Sequence, residues 1–233
     1  MKNIAIIPAR SGSKGLKDKN IKPLADKPLL VYSIEAAVLS GCFSTVMVST
    51  NSEEYAKIAR TYGAEVPFLR SEKTSSDSAS SWDAVLEVLN RYEEMTESFD
   101  TFCLLQPTSP LRTSNDIKAA YRLMEEKDAF SVQSVVELDH PLSWCGVLGE
   151  NDSLDGFNTR EDDQQRQIQK KYYRPNGAIY IAAISEFRKD QFLYREGAYA
   201  YIMPKERSVD IDTEFDFMFA EILLQHDKIK TNS

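Results

Sequence analysis

An uninterrupted apolar run, Ile4-Ala5-Ile6-Ile7, gives way to thirteen residues, Pro8 to Asn20, that hold two glycines and the cations Arg10, Lys14, Lys17 and Lys19. The run reads as a strand buried on both faces, so the loop that follows must sit at a strand's carboxyl end. Glycines let backbone N–H groups come close to a ligand, and a concave row of such donors attracts anions. Arg10 and Lys14 add the charge-assisted bonds that phosphate oxygens need. The bland alternative is a solvated basic loop. Neither Gly-x-x-x-x-Gly-Lys-Ser/Thr nor Gly-x-Gly-x-x-Gly is present, so the reading is a triphosphate cradle of another kind.

At 233 residues the chain suffices for one α/β domain with a small appendage. A formal charge of −8 argues against a nucleic-acid surface, and with one local basic loop it suggests focused binding of a small anion. Cys42, Cys103 and Cys145 are widely spaced, which indicates neither a disulfide framework nor a zinc site and suits buried thiols in a reducing compartment. No segment approaches a membrane span or a secretory leader, so a soluble cytoplasmic protein without a membrane partner is expected.

Along the chain, the pattern predicts a helix from about Pro28 to Ser40 stopped by Gly41, a strand Thr45–Ser49, and a helix ending before Gly63 with Asn51 and Glu54 as a capping box. Glu65–Leu69 reads as a short third strand with a proline. This β-loop-α-β-α-β order favours a parallel sheet with helices on both faces. Ser71 to Ser81 reads as a hydroxyl-rich loop ending in a helix N-cap, although such hydroxyls can also hydrogen-bond a base or ribose. Thr101–Leu105 is an uninterrupted central strand that ends in Gln106-Pro107-Thr108-Ser109-Pro110-Leu111-Arg112, where ligands of α/β sheets bind. Thr113 and Asp116 start the next helix, and Phe130 to Val136 is a further strand. From about Glu137 to Tyr173 the pattern changes to hairpins and loops. We read this as an inserted arm within a single 1–233 domain, its Trp144, Tyr172 and Tyr173 suited to bury against a second subunit. Strands at Gly177–Ile181 and Tyr199–Met203 and a terminal amphipathic helix complete the chain.

Asp210-Ile211-Asp212 is the most informative acidic pair. On extended backbone, residues i and i+2 point to one side, so both carboxylates face one way while Ile211 enters the core. Two oxygen ligands suit Mg²⁺, which takes its remaining ligands from phosphates and water. By itself the pair reads equally well as an exposed edge with Asp212 or Thr213 capping the last helix; a basic loop at the chain start favours the metal. Arg174-Pro175-Asn176-Gly177 reads as a tight turn, or as an Asn amide placed with Tyr180 at a sugar. His140 and His226 carry no catalytic signal.

Together, Ile-Pro-Ala-Arg10-Ser-Gly-Ser-Lys14-Gly-Leu-x-x-Lys19-Asn20, Ser76-Asp77-Ser78-Ala79-Ser80-Ser81, Leu-Leu-Gln106-Pro-Thr-Ser-Pro-Leu-Arg112, Arg174-Pro-Asn-Gly-Ala-Ile-Tyr180 and Asp210-Ile-Asp212-Thr resemble the bacterial N-acylneuraminate cytidylyltransferases. The resemblance runs in order from about Asn3 to the terminal helix. It implies a three-layer α/β/α Rossmann-like nucleotidyltransferase sheet, mostly parallel, and transfer of CMP from CTP to a nonulosonic acid with Mg²⁺ and release of pyrophosphate. It implies Arg10 and Lys14 as triphosphate ligands, Lys19 near the α-phosphate, and Asn20, Arg70, Ala79 and Ser81 around the cytidine and ribose. Gln106, Tyr180 and Arg166 fall to the sugar, and Asp210 and Asp212 to the metal. It further implies a homodimer through the arm and a chain that stops at the catalytic domain. Ser143-Trp144 stands where some members carry a lysine after His-Pro-x, which leaves N-acetylneuraminic, legionaminic and pseudaminic acid as candidate substrates. A glycosyltransferase with an Asp-x-Asp metal pair is the nearest rival, but that pair usually follows a mid-chain strand, where this chain has Gln106-Pro107. A silent nucleotide-binding module is the other.

Overall fold

The structure, a computed structural model, describes residues 1–12, 15–157 and 170–231. Strand β1 (Asn3–Pro8) forms where the apolar run predicts it, with Ile4 to Ile7 fully buried. The basic loop closes on a 3-10 turn, Lys19–Ile21, entered through Asp18 in the left-handed region. A small ribbon, β2 (Pro23–Leu24) and β3 (Lys27–Pro28), leads into α1 (Leu29–Ser40), which Gly41 stops at φ 63. There follow β4 (Thr45–Ser49), α2 (Glu53–Thr61), α3 (Glu72–Ser75), α4 (Ser81–Glu94), β5 (Thr101–Leu104), α5 (Ser114–Glu126), β6 (Ser131–Glu137), β7 (Tyr173–Ala183), α6 (Ile184–Lys189), β8 (Ala198–Ile202) and α7 (Glu214–Thr231).

The main sheet has the order β4-β1-β5-β7-β6-β8, and β7 alone runs against the other five strands. From β1 the chain crosses to β4 on one side and then returns to β5 on the other. The direction of travel therefore reverses at β1, and the carboxyl ends of β1 and β5 form a switch-point crevice. Alternate residues of the buried strands serve opposite faces. Ala5, Ile7, Val46, Val48, Cys103 and Ile181 pack with α1, α2 and α5, while Ile4, Ile6, Met47, Phe102 and Leu104 pack with α4 and α6. Full burial of each large aliphatic side chain contributes roughly 1.5–3 kcal/mol, and these layers hold the crevice rigid.

Several elements differ from expectation for local reasons. Glu65–Leu69 is not a strand: Glu65 makes an isolated bridge to Met47, and Pro67, two residues on, has no N–H with which to extend it. Helix α2 is capped by Ser52, whose hydroxyl accepts from the Tyr55 N–H, while the Asn51 carboxamide instead accepts from the Ser11 N–H and hydroxyl. The hydroxyl-rich stretch contains one helical turn, α3, capped by Ser71. Cys103 is buried, but Cys145 is exposed, so the expectation of buried thiols fails there. Arg174–Gly177 is strand, not a tight turn, with the β6–β7 register shifting beside it between Gln133 and Val135. The two strands pair out to Glu137 and Tyr173, and from that rung the arm segment leaves and returns.

Candidate active site

A third, smaller apolar cluster explains why the two ends of the chain meet. Leu16 from the basic loop, Leu24 and Leu29 from the ribbon and α1, Ile211, and Phe217 and Ala220 of α7 bury one another. With Leu16 and Ile211 pinned in one cluster, Gly15 and Lys19 of the loop and the aspartates flanking Ile211 lie side by side. Their backbones approach so closely that a methyl group on Gly15 would sit 3.0 Å from the Asp212 carbonyl oxygen. Lys19, only 12 % exposed, donates to the Ile211 carbonyl and stands 3.3 Å from Asp212 Oδ1.

Around this junction lies a cleft of about 490 Å³ at the ends of β1 and β5. Arg10, Lys19, Asn20 and Arg70 line its basic wall; Ala79 and Ser81, at the start of α4, line another side; Gln106, Pro107 and Thr108 form the floor beside Asp210 and Asp212. Nine residues singled out from sequence thus converge on one cavity, together with Pro8, Gly15, Pro107 and Thr108, which were not singled out as ligand contacts. Tyr180 stands beside it, its ring edge-on to Trp82 at 5.7 Å and its hydroxyl pushed up to about 12 by burial and by Tyr194 and Asp210. Lys14 and Arg166 lie outside the described residues.

The wall concentrates positive charge. Arg70 is buried, and desolvation, with Arg10 close by, lowers its pKa against the pull of Glu87. Its guanidinium donates to the Thr74 carbonyl, while Arg10 donates to the Ser75 carbonyl at 3.3 Å and to Asp77 at 2.8 Å. The Asn20 amide donates to the Arg10 carbonyl at 3.0 Å and so fixes the loop's geometry. Two neighbouring guanidinium groups at a cavity wall favour an anion between them.

The opposite side concentrates negative charge. Burial raises the pKa of Asp210, and Asp212 adds to the rise, while a Thr108 hydrogen bond and Lys19 oppose it. Helix α7 is capped by Thr213 and Asp216, whose hydroxyl and carboxylate exchange bonds with each other's N–H groups, so the capping alternative for Asp212 falls away. The Asp212 carboxylate, 77 % exposed, is left facing the cleft. Among the described residues no set of three or more His, Cys, Asp or Glu side chains could hold a metal ion. A pair of carboxylates is nonetheless what Mg²⁺ takes from a protein when phosphates and water complete its shell, and the repulsion within this pair is what a cation would relieve.

Asn176 corrects a sequence reading. It is 0 % exposed; its Oδ1 accepts from the Ser134 hydroxyl at 2.6 Å and its Nδ2 donates to the Ser208 hydroxyl at 2.9 Å. With its amide engaged inside the protein, it ties β6 and β7 to the segment that leads into Asp210. The neighbouring Gly177, at φ +78, is the residue that faces the site, since a methyl group there would lie 2.6 Å from Gln106 Oε1 and 3.4 Å from Asp210 Oδ2. The Pro-Asn-Gly triplet signals a backbone that needs φ > 0, although not its proximity to the carboxylate.

Fold and cleft define a Rossmann-like α/β protein whose strand-end pocket sets a basic wall against a carboxylate pair. The chain belongs to the cytidylyltransferase family, whose pattern matches residues 4–223. It is 41 % identical over 225 residues to an N-acylneuraminate cytidylyltransferase of Escherichia coli O18:K1:H7, covering 96 % of this chain but spanning only 52 % of that relative's length. It is 35 % identical to a CMP-N,N'-diacetyllegionaminic acid synthase of Legionella pneumophila and 34 % identical to a pseudaminic acid cytidylyltransferase of Campylobacter jejuni, covering 97 % and 96 % of both partners respectively. Among solved structures, a CMP:2-keto-3-deoxy-manno-octonic acid synthetase complexed with CTP superposes with a TM-score of 0.71 at 15 % identity over 97 % of this chain and 100 % of that one, which establishes the shared fold.

Proposed function

We propose that the protein transfers CMP from CTP to the anomeric hydroxyl of N-acetylneuraminic acid, giving the CMP-sugar and pyrophosphate. The observation that carries this reading is the junction of Lys19, Gly15, Asp210 and Asp212 in one cleft with Arg10. A charged, in-line displacement at phosphorus needs cations on the leaving group and a positioned nucleophile, and little covalent help from the protein. In this scheme the sugar hydroxyl gives up its proton to solvent as its oxygen attacks the α-phosphorus, the bond from that phosphorus to the bridging β-phosphate oxygen breaks, and pyrophosphate leaves toward Arg10 and, by resemblance, Lys14. Lys19 offsets charge at the α-phosphate, while Asn20, Arg70, Ala79 and Ser81 hold the nucleoside. Gln106 and Tyr180, with Arg166 by resemblance, orient the sugar acid. Asp210 and Asp212 would hold Mg²⁺, which when bound neutralises phosphate charge and favours ionisation of the attacking hydroxyl.

A related nonulosonic acid is the second reading, supported by two relatives that are named for legionaminic and pseudaminic acids and match this chain over 97 % and 96 % of their lengths. The test is a pyrophosphate-release screen of CTP against all three acids. Release with CTP and one of them, abolished by chelation and restored by Mg²⁺, is the expected result; CTP binding by calorimetry without turnover on any acid would leave only a nucleotide-binding module. We further infer a homodimer through the 137–173 arm, where Leu142, Trp144, Val147, Leu148 and Leu154 are exposed; a monomeric mass by light scattering would count against it. CTP is a cytosolic metabolite, which supports a cytoplasmic setting.

A further inference from the structure

Beneath the cleft floor lies an arginine that the reaction scheme does not use. Arg112 is 2 % exposed, and its hydrogen-bond acceptors among the described residues are all neutral. Its Nη1 donates to the carbonyls of Ala178 (2.9 Å) and Gln106 (3.4 Å), and its Nη2 donates to the Ser33 hydroxyl (2.5 Å). The Ser33 hydroxyl in turn donates to the same Gln106 carbonyl at 3.3 Å. Nε has no partner. The acid nearest in sequence, Asp116, is engaged by two bonds from Arg207 and one from Tyr201. Burial lowers the Arg112 pKa to about 10 against the pull of Cys103 and Asp116.

Burying a guanidinium that hydrogen-bonds to no carboxylate is unfavourable, and a neutral side chain of similar volume would fill the space at less cost. What the guanidinium supplies instead is geometry. Its fork joins α1, through Ser33, to the loop after β5, through Gln106, and to β7, through Ala178. The Gln106 carbonyl is thereby drawn down by two donors from below, while the Ser109 N–H also bonds it at 3.2 Å. The next residues of the same turn hold the acidic side, because the Thr108 carbonyl accepts from the Ile211 N–H at 2.8 Å. On the proposed function, with Gln106 as a sugar contact, we propose that Arg112 is the positioning residue of the cleft floor: its clamp on the Gln106 main chain fixes where the Gln106 amide meets the sugar acid.

The experiment compares Arg112→Lys, Arg112→Met and Ser33→Ala in the full chain. A lysine keeps the charge but cannot span three acceptors. The clamp predicts at least a tenfold rise in sugar-acid KM for both Arg112 variants and about threefold for Ser33→Ala, with CTP affinity by calorimetry within twofold of wild type. Joining Ser33→Ala to Arg112→Lys adds nothing further, because the two act through one carbonyl. A part that only supports the core would lower the melting temperature and leave both substrate constants where they were, and that result overturns the proposal. Should the Arg112 variants not fold, Ser33→Ala decides alone, an unchanged sugar-acid KM being fatal. Amide exchange separates the clamp from the functional reading. Ser109 should exchange about tenfold faster in Ser33→Ala whether or not any sugar acid is a substrate, and unchanged protection would sink the clamp even in an active enzyme.

Discussion

Behind the floor of the cleft, both ends of the Asn176 amide are hydrogen-bonded inside the protein and Ile211 is fully buried; on the basic wall, Arg10 reaches an Asp77 that is about half exposed, and Lys19 reaches an Asp212 that is more exposed still. Both regions border one cavity, the first from behind its lining and the second as part of it, and they differ in what a ligand would have to displace. Breaking a buried, satisfied network leaves orphaned groups and is expensive, so the floor keeps its shape. Half-exposed ion pairs are worth about 0–1 kcal/mol, so a phosphate oxygen can replace Asp77 on Arg10 with little penalty. The floor therefore carries geometry, and the wall carries exchangeable charge.

Substitutions that reach the floor should break this contrast first. Asp212→Ala, which removes charge from the junction of floor and wall, should lower turnover by roughly 10²–10³-fold with a modest loss of CTP affinity; steady-state rates with Mg²⁺ present measure it, and wild-type turnover would refute the metal role. Ile211→Ala removes the apolar pin between the two aspartates. A cost of about 2–5 kcal/mol in chemical denaturation is expected, with a fall in turnover that Leu16→Ala reproduces, since both side chains belong to one cluster. Gly177→Ala forces a side chain into positive φ and against Gln106 Oε1, at roughly 1–3 kcal/mol of strain. Its sugar-acid KM should rise more than its CTP KM. The smallest effect belongs to the wall: Asp77→Asn frees Arg10 from a competing anion and should tighten CTP binding up to about fivefold by calorimetry. Weaker binding there would mean that Asp77 orients Arg10 instead of competing for it.

Much of this was legible in the residues. The period of the buried strands, the helix start at Thr113 and Asp116, and the stop at Gly41 are local signals, and the elements they mark form where they predict. The apolar residue between two aspartates announces two carboxylates on one side, and Ile211 is indeed buried between them. Local signals failed where a partner outside the segment decided the outcome. Asn51 has the right spacing to cap α2, but the loop after β1 supplies Ser11 as a donor and the cap passes to Ser52. Pro-Asn-Gly has the composition of a turn, but pairing with β6 draws it into a strand and buries the asparagine.

By itself, then, the order of residues determined the α/β alternation, the basic loop after the first strand, the acidic pair near the end and the family pattern that joins them, because each depends on neighbours within a few positions or on spacing along the chain. Only the tertiary structure decided that Asn176 works from inside while Gly177 faces the site, that Thr213 caps α7 and leaves Asp212 to the cleft, and that a buried Arg112 grips the floor. Those assignments depend on which hydrogen-bond partner arrives from a distant segment, and burial makes that partner's identity decisive by removing the water that would otherwise have served in its place.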